Sequence, residues 1–266
     1  MFGIRPRVSF VVVGAQKSGT TALFHFLSQH PDIVVPDAKE LHFFDDDSLN
    51  WDRPNYRLYE RRFRKAKNTG LLGEATPCYI YWPQALERLY DYNPRVKVIA
   101  LFRDPVERAH AQWRMIRGRG VEDLSFSEAI REGRKRLEGL PLEDPALRRL
   151  AYVERGFYAW QVERLLDIFP RRHTLLLRQE DLSDAHDETL SRVLDFLGVR
   201  DMAIPQSRVF VGEDTAPPSP EDVAYLSELY ADDVARFTAL TGLDTSAWAP
   251  SRWRAGTLDA AQPASA

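Results

Sequence analysis

Cysteine is nearly missing from this sequence: Cys78 is the only one in 266 residues. A lone thiol excludes an internal disulfide and a thiolate framework for structural zinc, and it suits a reducing compartment. Net charge is scarce too. The 36 Lys and Arg nearly balance 39 Asp and Glu, leaving a formal charge of -3. No global field therefore draws nucleic acid or an anionic membrane to the chain, and any anion site has to be local. Long apolar runs are absent as well. The segment at 8–13 falls short of the roughly 20 residues that a membrane helix needs, and it runs straight into glycine. These absences together describe a cytoplasmic protein without a leader, a membrane anchor or a nucleic-acid partner. With no repeat and no long low-complexity tract, residues 1–248 read as one domain, and the Ala-, Pro- and Ser-rich residues 249–266 as a flexible tail.

What is present centres on residues 10–21, F-V-V-V-G-A-Q-K-S-G-T-T. Val11, Val12 and Val13 behind Phe10 predict a strand buried on both faces, since β-branched residues occur there without polar alternation. Ala22, Leu23, Phe26 and Leu27 then fall on one face of a helix starting at Thr20. Between the two, Gly14 and Gly19 let backbone N–H groups turn inward toward the positive end of the helix, which makes a seat for phosphate. The spacing is close to a Walker A loop, G-x-x-x-x-G-K-[ST], but Thr20 stands where that loop keeps lysine. The lysine here is Lys17, three residues earlier, from where a cation can still reach a phosphate bridging oxygen. The plainer reading is a glycine turn between a core strand and a core helix, with Lys17 solvated.

Further strands are predicted at 33–35, 70–74, 96–102 and 174–177. Helices are predicted at 51–67, 83–90, 105–117, 126–137, 156–169, 189–197 and 223–240. Asp104 reads as the cap and Pro105 as the first residue of the helix at 105. Arg103 thus falls at the carboxyl end of a strand, where open α/β sheets bind ligands. Strands alternating with helices predict an α/β fold, a P-loop-type central parallel sheet flanked by helices on both faces. The helix at 51–67 is basic near its end, and Tyr79, Tyr81, Trp82 and Trp113 are aromatic candidates for a cleft wall, although such residues more often build cores.

Five sequence pieces occur in order: Gly14-x-x-Lys17-x-Gly19-Thr20-Thr21, Lys39-Glu40-Leu41-His42-Phe43-Phe44, Glu74-x-Thr76-Pro77-x-Tyr79, Arg103-Asp104-Pro105-x-x-Arg108 and Gly156-x-Tyr158. As a set they resemble the sulfotransferase family, most nearly the branch of heparan sulfate sulfotransferases and their bacterial relatives, over about residues 8–200. The resemblance implies a donor, 3'-phosphoadenosine 5'-phosphosulfate (PAPS), an acceptor that is a carbohydrate or a small natural product, and no required metal. Sulfuryl transfer needs little covalent help from a protein, so alignment and charge stabilisation at the leaving oxygen suffice.

The resemblance assigns that stabilisation to Lys17, and the 5'-phosphate to Gly14, Ser18, Gly19, Thr20 and Thr21. It makes Glu40 the base that takes the acceptor proton, with His42 as an accessory group; two apart in an extended segment, they would share a face. Lys39, Phe43, Thr76, Pro77 and Tyr79 are implied acceptor contacts. Arg103 matches the arginine that grips the 3'-phosphate, for which its fork is suited. Arg108 reads as structural, through Asp104 or Glu107. The sequence also departs from the family. Ala111 stands where a serine usually supplies a second 3'-phosphate donor, leaving His110 or Gln112 as substitutes. Ala75 replaces the lysine of heparan-type members, their disulfide is missing, and the loop expected to close over adenosine, around 210–217, offers only Gly212 and two acids.

Two other readings stay open. A P-loop nucleotide kinase would want lysine at position 20 and an acid to hold Mg²⁺ at a strand end. A non-catalytic nucleotide-binding module of the same fold would tolerate Ala111 and the acidic loop.

Overall fold

The β-branched run behind Phe10 forms the central strand of a five-stranded parallel sheet. The computed structural model describes residues 7–63, 70–141, 144–207 and 216–258, and the chain falls into two units, Met1–Phe102 with Leu165–Val211 and Arg103–Arg164 with Gly212–Ala266. The first begins with β1 (Phe10–Gly14), α1 (Thr20–Ser28), β2 (Ile33–Val34), α2 (Tyr56–Glu60), β3 (Leu71–Ala75), α3 (Ala85–Tyr92) and β4 (Lys97–Phe102). Next come α4 (Pro105–Gly118), α5 (Phe126–Ile130) and α6 (Pro145–Arg149) of the second unit, then α7 (Ala159–Ile168), which spans the boundary. The first unit resumes with β5 (Thr174–Arg178), α8 (Gln179–Asp184) and α9 (His186–Leu197), and the second ends with α10 (Pro220–Thr241) and α11 (Ala249–Arg254).

In the first unit the strand order is β2-β3-β1-β4-β5, and every neighbouring pair is parallel. All of β1 and all but the first residue of β4 are buried, which is why both read as unbroken apolar runs. Alternate residues point to one face, where Phe10 and Val12 of β1, Ile99 and Leu101 of β4 and Leu177 of β5 form one cluster. Leu23, Phe26 and Leu27 of α1 and Leu190, Val193, Leu194 and Leu197 of α9 complete it. Each such side chain contributes about 1.5–3 kcal/mol by leaving water. The architecture is the α/β fold that the strand and helix pattern predicts, with its parallel sheet flanked by helices.

In the second unit Asp104 caps α4 by accepting the N–H of Val106 at 2.8 Å, and its other carboxylate oxygen accepts the N–H of Ala249. Gly156 lies under the Tyr230 phenol of α10, where a Cβ would come within 2.5 Å of the hydroxyl oxygen. The Tyr158 hydroxyl donates to the Arg103 carbonyl at 2.9 Å. The Gly156-x-Tyr158 piece of the sequence thus works here in packing.

Several boundaries differ from expectation. The helix expected at 51–67 is confined to α2 and a 3₁₀ turn at Arg61–Phe63, because Pro54 keeps the residue before it out of helical conformation; residues 64–69 lie outside the described residues. Gln84 sits in the left-handed region (φ 62°) and separates Pro83 from α3. The helix expected at 126–137 breaks at Arg131 (ψ -92°), whose guanidinium bonds Ser127 and Asp222. Trp160 of α7 is exposed. The tail expected from residue 249 opens instead as α11, since Pro250 suits a first helical turn and Ala249 and Pro250 are buried; residues 259–266 lie outside the described residues.

Gly73 shows how tightly the sheet is packed. It pairs with Phe10 across β1 and β3, and a Cβ on it would meet the Phe10 ring at 2.0 Å. Gly73→Ala is expected to cost about 1–3 kcal/mol of stability through overpacking, read as a lower urea midpoint at unchanged slope. An unchanged midpoint would show that the ring has room to move.

Candidate active site

Parallel strands end on the same edge, so the turn after β1 and the segment attached to the end of β3 come to one side of the sheet. In the turn, the Ala15 N–H donates to the Leu101 carbonyl at 2.7 Å and the Ser18 N–H to the Ala15 carbonyl at 3.2 Å. Lys17 adopts φ 69°, a conformation that L residues avoid at a cost of about 1–2 kcal/mol. Gly19 is the N-cap of α1 at φ 83°, and a Cβ there would press on Gln179 at 3.0 Å. No side chain caps α1, and no acid lies in its first turn. Ser18 is wholly buried and its Oγ has no hydrogen-bond partner among the described residues. An uncapped helix start, a buried hydroxyl without a partner and a lysine, with no carboxylate in the turn, fit a phosphate group. Gly14, Thr20 and Thr21 belong to the same turn and helix start.

The second part hangs from β3. The Glu40 N–H donates to the Ala75 carbonyl at 3.2 Å, the Leu41 N–H to Thr76 Oγ1 at 3.0 Å, and the Phe43 N–H to the Tyr79 hydroxyl at 3.1 Å. The segment is not extended as expected: Glu40 (φ 63°) and His42 (φ 48°) are both left-handed. The twist still brings their side chains together. Lys39 Nζ lies 2.9 Å from Glu40 Oε1, Glu40 Oε2 lies 3.3 Å from His42 Nε2, and His42 Nδ1 lies 2.8 Å from Asp45 Oδ2.

Asp45 is fully buried, whereas the Glu40 and His42 side chains are 34% and 46% exposed, so those two face solvent. The hydrogen bond to Asp45, with help from the one to Glu40, outweighs burial and lifts His42 to about 9. Burial pushes Glu40 up, but the His42 hydrogen bond and the charge and hydrogen bond of Lys39 overcome it and hold Glu40 at about 2. At neutral pH Glu40 is therefore a carboxylate and His42 an imidazolium, set between Lys39 and Asp45. The basicity of Glu40 is set by how closely Lys39 and His42 stay on it.

Sequence reasoning missed Asp45. It follows directly on the K-E-L-H-F-F piece, three residues after His42, and only the twisted backbone shows that the two meet. Of the residues expected as acceptor contacts, Phe43, Thr76, Pro77 and Tyr79 are all buried. Phe43 packs among Phe44, Trp51 and Tyr59, and the Thr76 and Tyr79 hydroxyls are spent on main-chain N–H groups. Thr76 and Tyr79 thereby brace the segment that carries Glu40 and His42. Of the aromatic candidates, Tyr79 and Trp82 are core, and the Trp113 indole donates to the Leu124 carbonyl.

In the second unit Arg103 is partly buried and pairs with Glu107 at 2.7 Å. Arg108 is fully buried and bonds Gln112 and the Tyr152 carbonyl, not Asp104 or Glu107, because α4 turns it inward. Gln112 is wholly buried and donates one amide hydrogen to the Arg149 carbonyl. His110 packs against Trp113 and Phe126, and burial pushes it down to about 4, so it is neutral. Gly212 lies outside the described residues.

Residues 8–206 match the sulfotransferase domain family. The chain belongs to the sulfotransferase family. It is similar to the crystal structure of a sulfotransferase from Alicyclobacillus acidocaldarius, with 31% identity and a TM-score of 0.76 over 91% of this chain and 99% of that one. It is 30% identical to heparan sulfate glucosamine 3-O-sulfotransferase 6 of Mus musculus over 71% of this chain and 52% of the relative. It is 37% identical to membrane-associated sulfotransferase kil1 of Dictyostelium discoideum over 40% of this chain and 22% of that protein. The chain thus spans between about a fifth and a half of the length of these curated relatives. No helix among the described residues is long and apolar enough to cross a membrane.

Removing the charge of Asp45 tests the array directly. In Asp45→Asn the His42 imidazole is expected to titrate well below about 9, back toward the ordinary 6.5, as followed by NMR of the ring. A His42 titration unchanged from the parent would show that Asp45 does not hold the proton there.

Proposed function

We propose that this sulfotransferase moves the sulfuryl group of PAPS to a hydroxyl of a carbohydrate or small natural-product acceptor. The observation that carries the reading is the turn of hydrogen-bond donors around Lys17, set on the same sheet edge as the Glu40–His42 pair. The donor nucleotide supplies the sulfuryl group and leaves as the 3',5'-bisphosphate. The N–H groups at the start of α1, with Ser18, Thr20 and Thr21, hold its 5'-phosphate. Lys17 neutralises the charge that grows on the phosphate oxygen as its bond to sulfur breaks. Glu40 takes the acceptor's proton as the new oxygen–sulfur bond forms, and it is already ionised at neutral pH. As the acceptor displaces water and loosens the contacts to Lys39 and His42, the base strengthens. His42 orients Glu40, and Lys39 balances its charge.

A sugar hydroxyl is supported as acceptor by the relatives named as glucosamine 3-O-sulfotransferases. Arg103 is assigned to the 3'-phosphate, for which its guanidinium has to leave Glu107. The lone, buried Cys78 favours a cytoplasmic setting.

An acceptor screen of sugars and phenols with ³⁵S-labelled PAPS tests the reading. Transfer of label to one class of hydroxyl is expected. Binding of the 3',5'-bisphosphate without transfer to any acceptor would favour the non-catalytic module. With an acceptor in hand, Lys17→Ala is expected to abolish transfer. Glu40→Gln is expected to lower kcat by about 10²-fold or more while leaving affinity for the bisphosphate intact. An unchanged kcat in Glu40→Gln would remove Glu40 from the mechanism.

A further inference from the structure

Glu74 has no part in the chemistry above, yet it occupies an expensive place. It sits in β3 opposite Val11 and is fully buried. Its carboxyl group is surrounded by hydroxyls: Thr76 donates to Oε2 at 2.7 Å, Tyr59 donates to Oε1 at 3.2 Å, and Tyr79 is a further hydrogen-bond partner. Burial pushes the group up to about 7 against the pull of these donors. Three hydroxyls turned on one acid amount to a built feature, since a buried carboxyl group is tolerated only where such donors meet it.

In the carboxylate form of Glu74 the direction of the hydrogen bonds carries the argument. A hydroxyl has one hydrogen to give. Thr76 gives its hydrogen to Glu74, so only its lone pairs are left for the Leu41 N–H at 3.0 Å. Tyr79 likewise presents oxygen lone pairs to the Phe43 N–H at 3.1 Å. One carboxyl group therefore sets the polarity of the two hydroxyls that grip the main chain on either side of His42. That stretch contains two left-handed residues, Glu40 and His42, a conformation that persists only where the surroundings over-determine it.

We propose that Glu74 is a positioning residue for sulfuryl transfer: acting through the Thr76 and Tyr79 hydroxyls, it locks residues 40–44 in the left-handed path that brings Glu40 and His42 into contact. The proposal rests on the reading of Glu40 as the base. Glutamine keeps the shape of Glu74 but turns an N–H₂ donor toward hydroxyls that already donate, so one of them has to rotate and release its main-chain partner.

The test is an NMR titration of the His42 imidazole in full-length Glu74→Gln, with its signal assigned by its loss in His42→Gln. A protein that has merely lost stability keeps the parent titration as long as it is folded. A protein whose segment has come loose does not, because Glu40 and Asp45 no longer hold His42 at about 9. The expected result is a folded variant in which His42 titrates markedly lower, with kcat reduced about tenfold or more and affinity for the 3',5'-bisphosphate unchanged. A His42 titration identical to the parent overturns the proposal. Should Glu74→Gln not fold, Thr76→Val and Tyr79→Phe are titrated in the same way, and a parental His42 curve in both overturns it.

The titration needs neither donor nor acceptor, so it is independent of the chemistry assigned to Glu40. A fully active Glu40→Gln beside a shifted His42 curve in Glu74→Gln would sink the base assignment and leave the positioning intact.

Discussion

The parallel pairing of β1 with β3 is the constraint on which the site depends. Val12 pairs with Ala75, and the N–H of Thr76, one residue on, donates back to the Val12 carbonyl at 3.1 Å. The two strands therefore leave the sheet together, one into the turn that carries Lys17 and the other into the peptide that receives Glu40. Antiparallel pairing would send these ends to opposite edges and leave a phosphate seat and a base with nothing to share. The bare contacts at Gly14 and Gly73 maintain this spacing. A Cβ on Gly14 would come within 2.2 Å of Ile80, and one on Gly73 within 2.0 Å of the Phe10 ring, so neither position takes a side chain without a shift of its neighbour.

Strain is concentrated where the chemistry is. Among the described residues, the non-glycine positions with positive φ are Lys17, Glu40, His42 and Gln84. The first three are the residues to which the sequence motifs assign the reaction. Each costs about 1–3 kcal/mol if judged alone. The backbone bonds to Leu101, Ala75, Thr76 and Tyr79 are what make such conformations sustainable. This fixes the directions of the side chains before any ligand arrives, which is how preorganised charge becomes useful in catalysis.

How far the sequence is legible follows from the length scale of each feature. Strands at 10–13 and 96–102 are readable because a buried parallel strand leaves an uninterrupted apolar run, and α4 because Asp104 and Pro105 mark its first turn locally. Lys17, Glu40 and His42 are nameable from motif order. Asp45 carries no comparable signal, and Glu74 stands in a motif piece that does not say what it does. Asp45 matters only because a left-handed backbone folds the chain back on His42, and Glu74 because the Tyr59 hydroxyl of α2 joins those of Thr76 and Tyr79 on it. The same limit holds for Thr76 and Tyr79: the motif names them, but their burial and their bonds to the main chain of residues 41 and 43 are not encoded in it. Short elements such as α6, α8 and α11 are set by caps and tertiary packing more than by periodicity.

The ion array also ties the site to pH from two sides. Glu40 falls from an ordinary 4.5 to about 2 on folding, so its contribution to stability is complete above about 4.5 and is lost as pH drops toward 2. His42 rises from 6.5 to about 9, so its contribution is complete below about 6.5 and is lost as pH climbs through 9. Both contributions are full only between those ordinary values, in mildly acidic solution. Near neutrality Glu40 and His42 are both still charged, but part of what His42 adds to stability has already gone. Partial exposure of both side chains screens these terms, so the array serves orientation more than stability. A carboxylate held this far below its usual range is a poor base until its partners release it. The same contacts that order Glu40 in the free protein therefore restrain it, so its proposed role as base requires an acceptor that loosens them as its hydroxyl arrives.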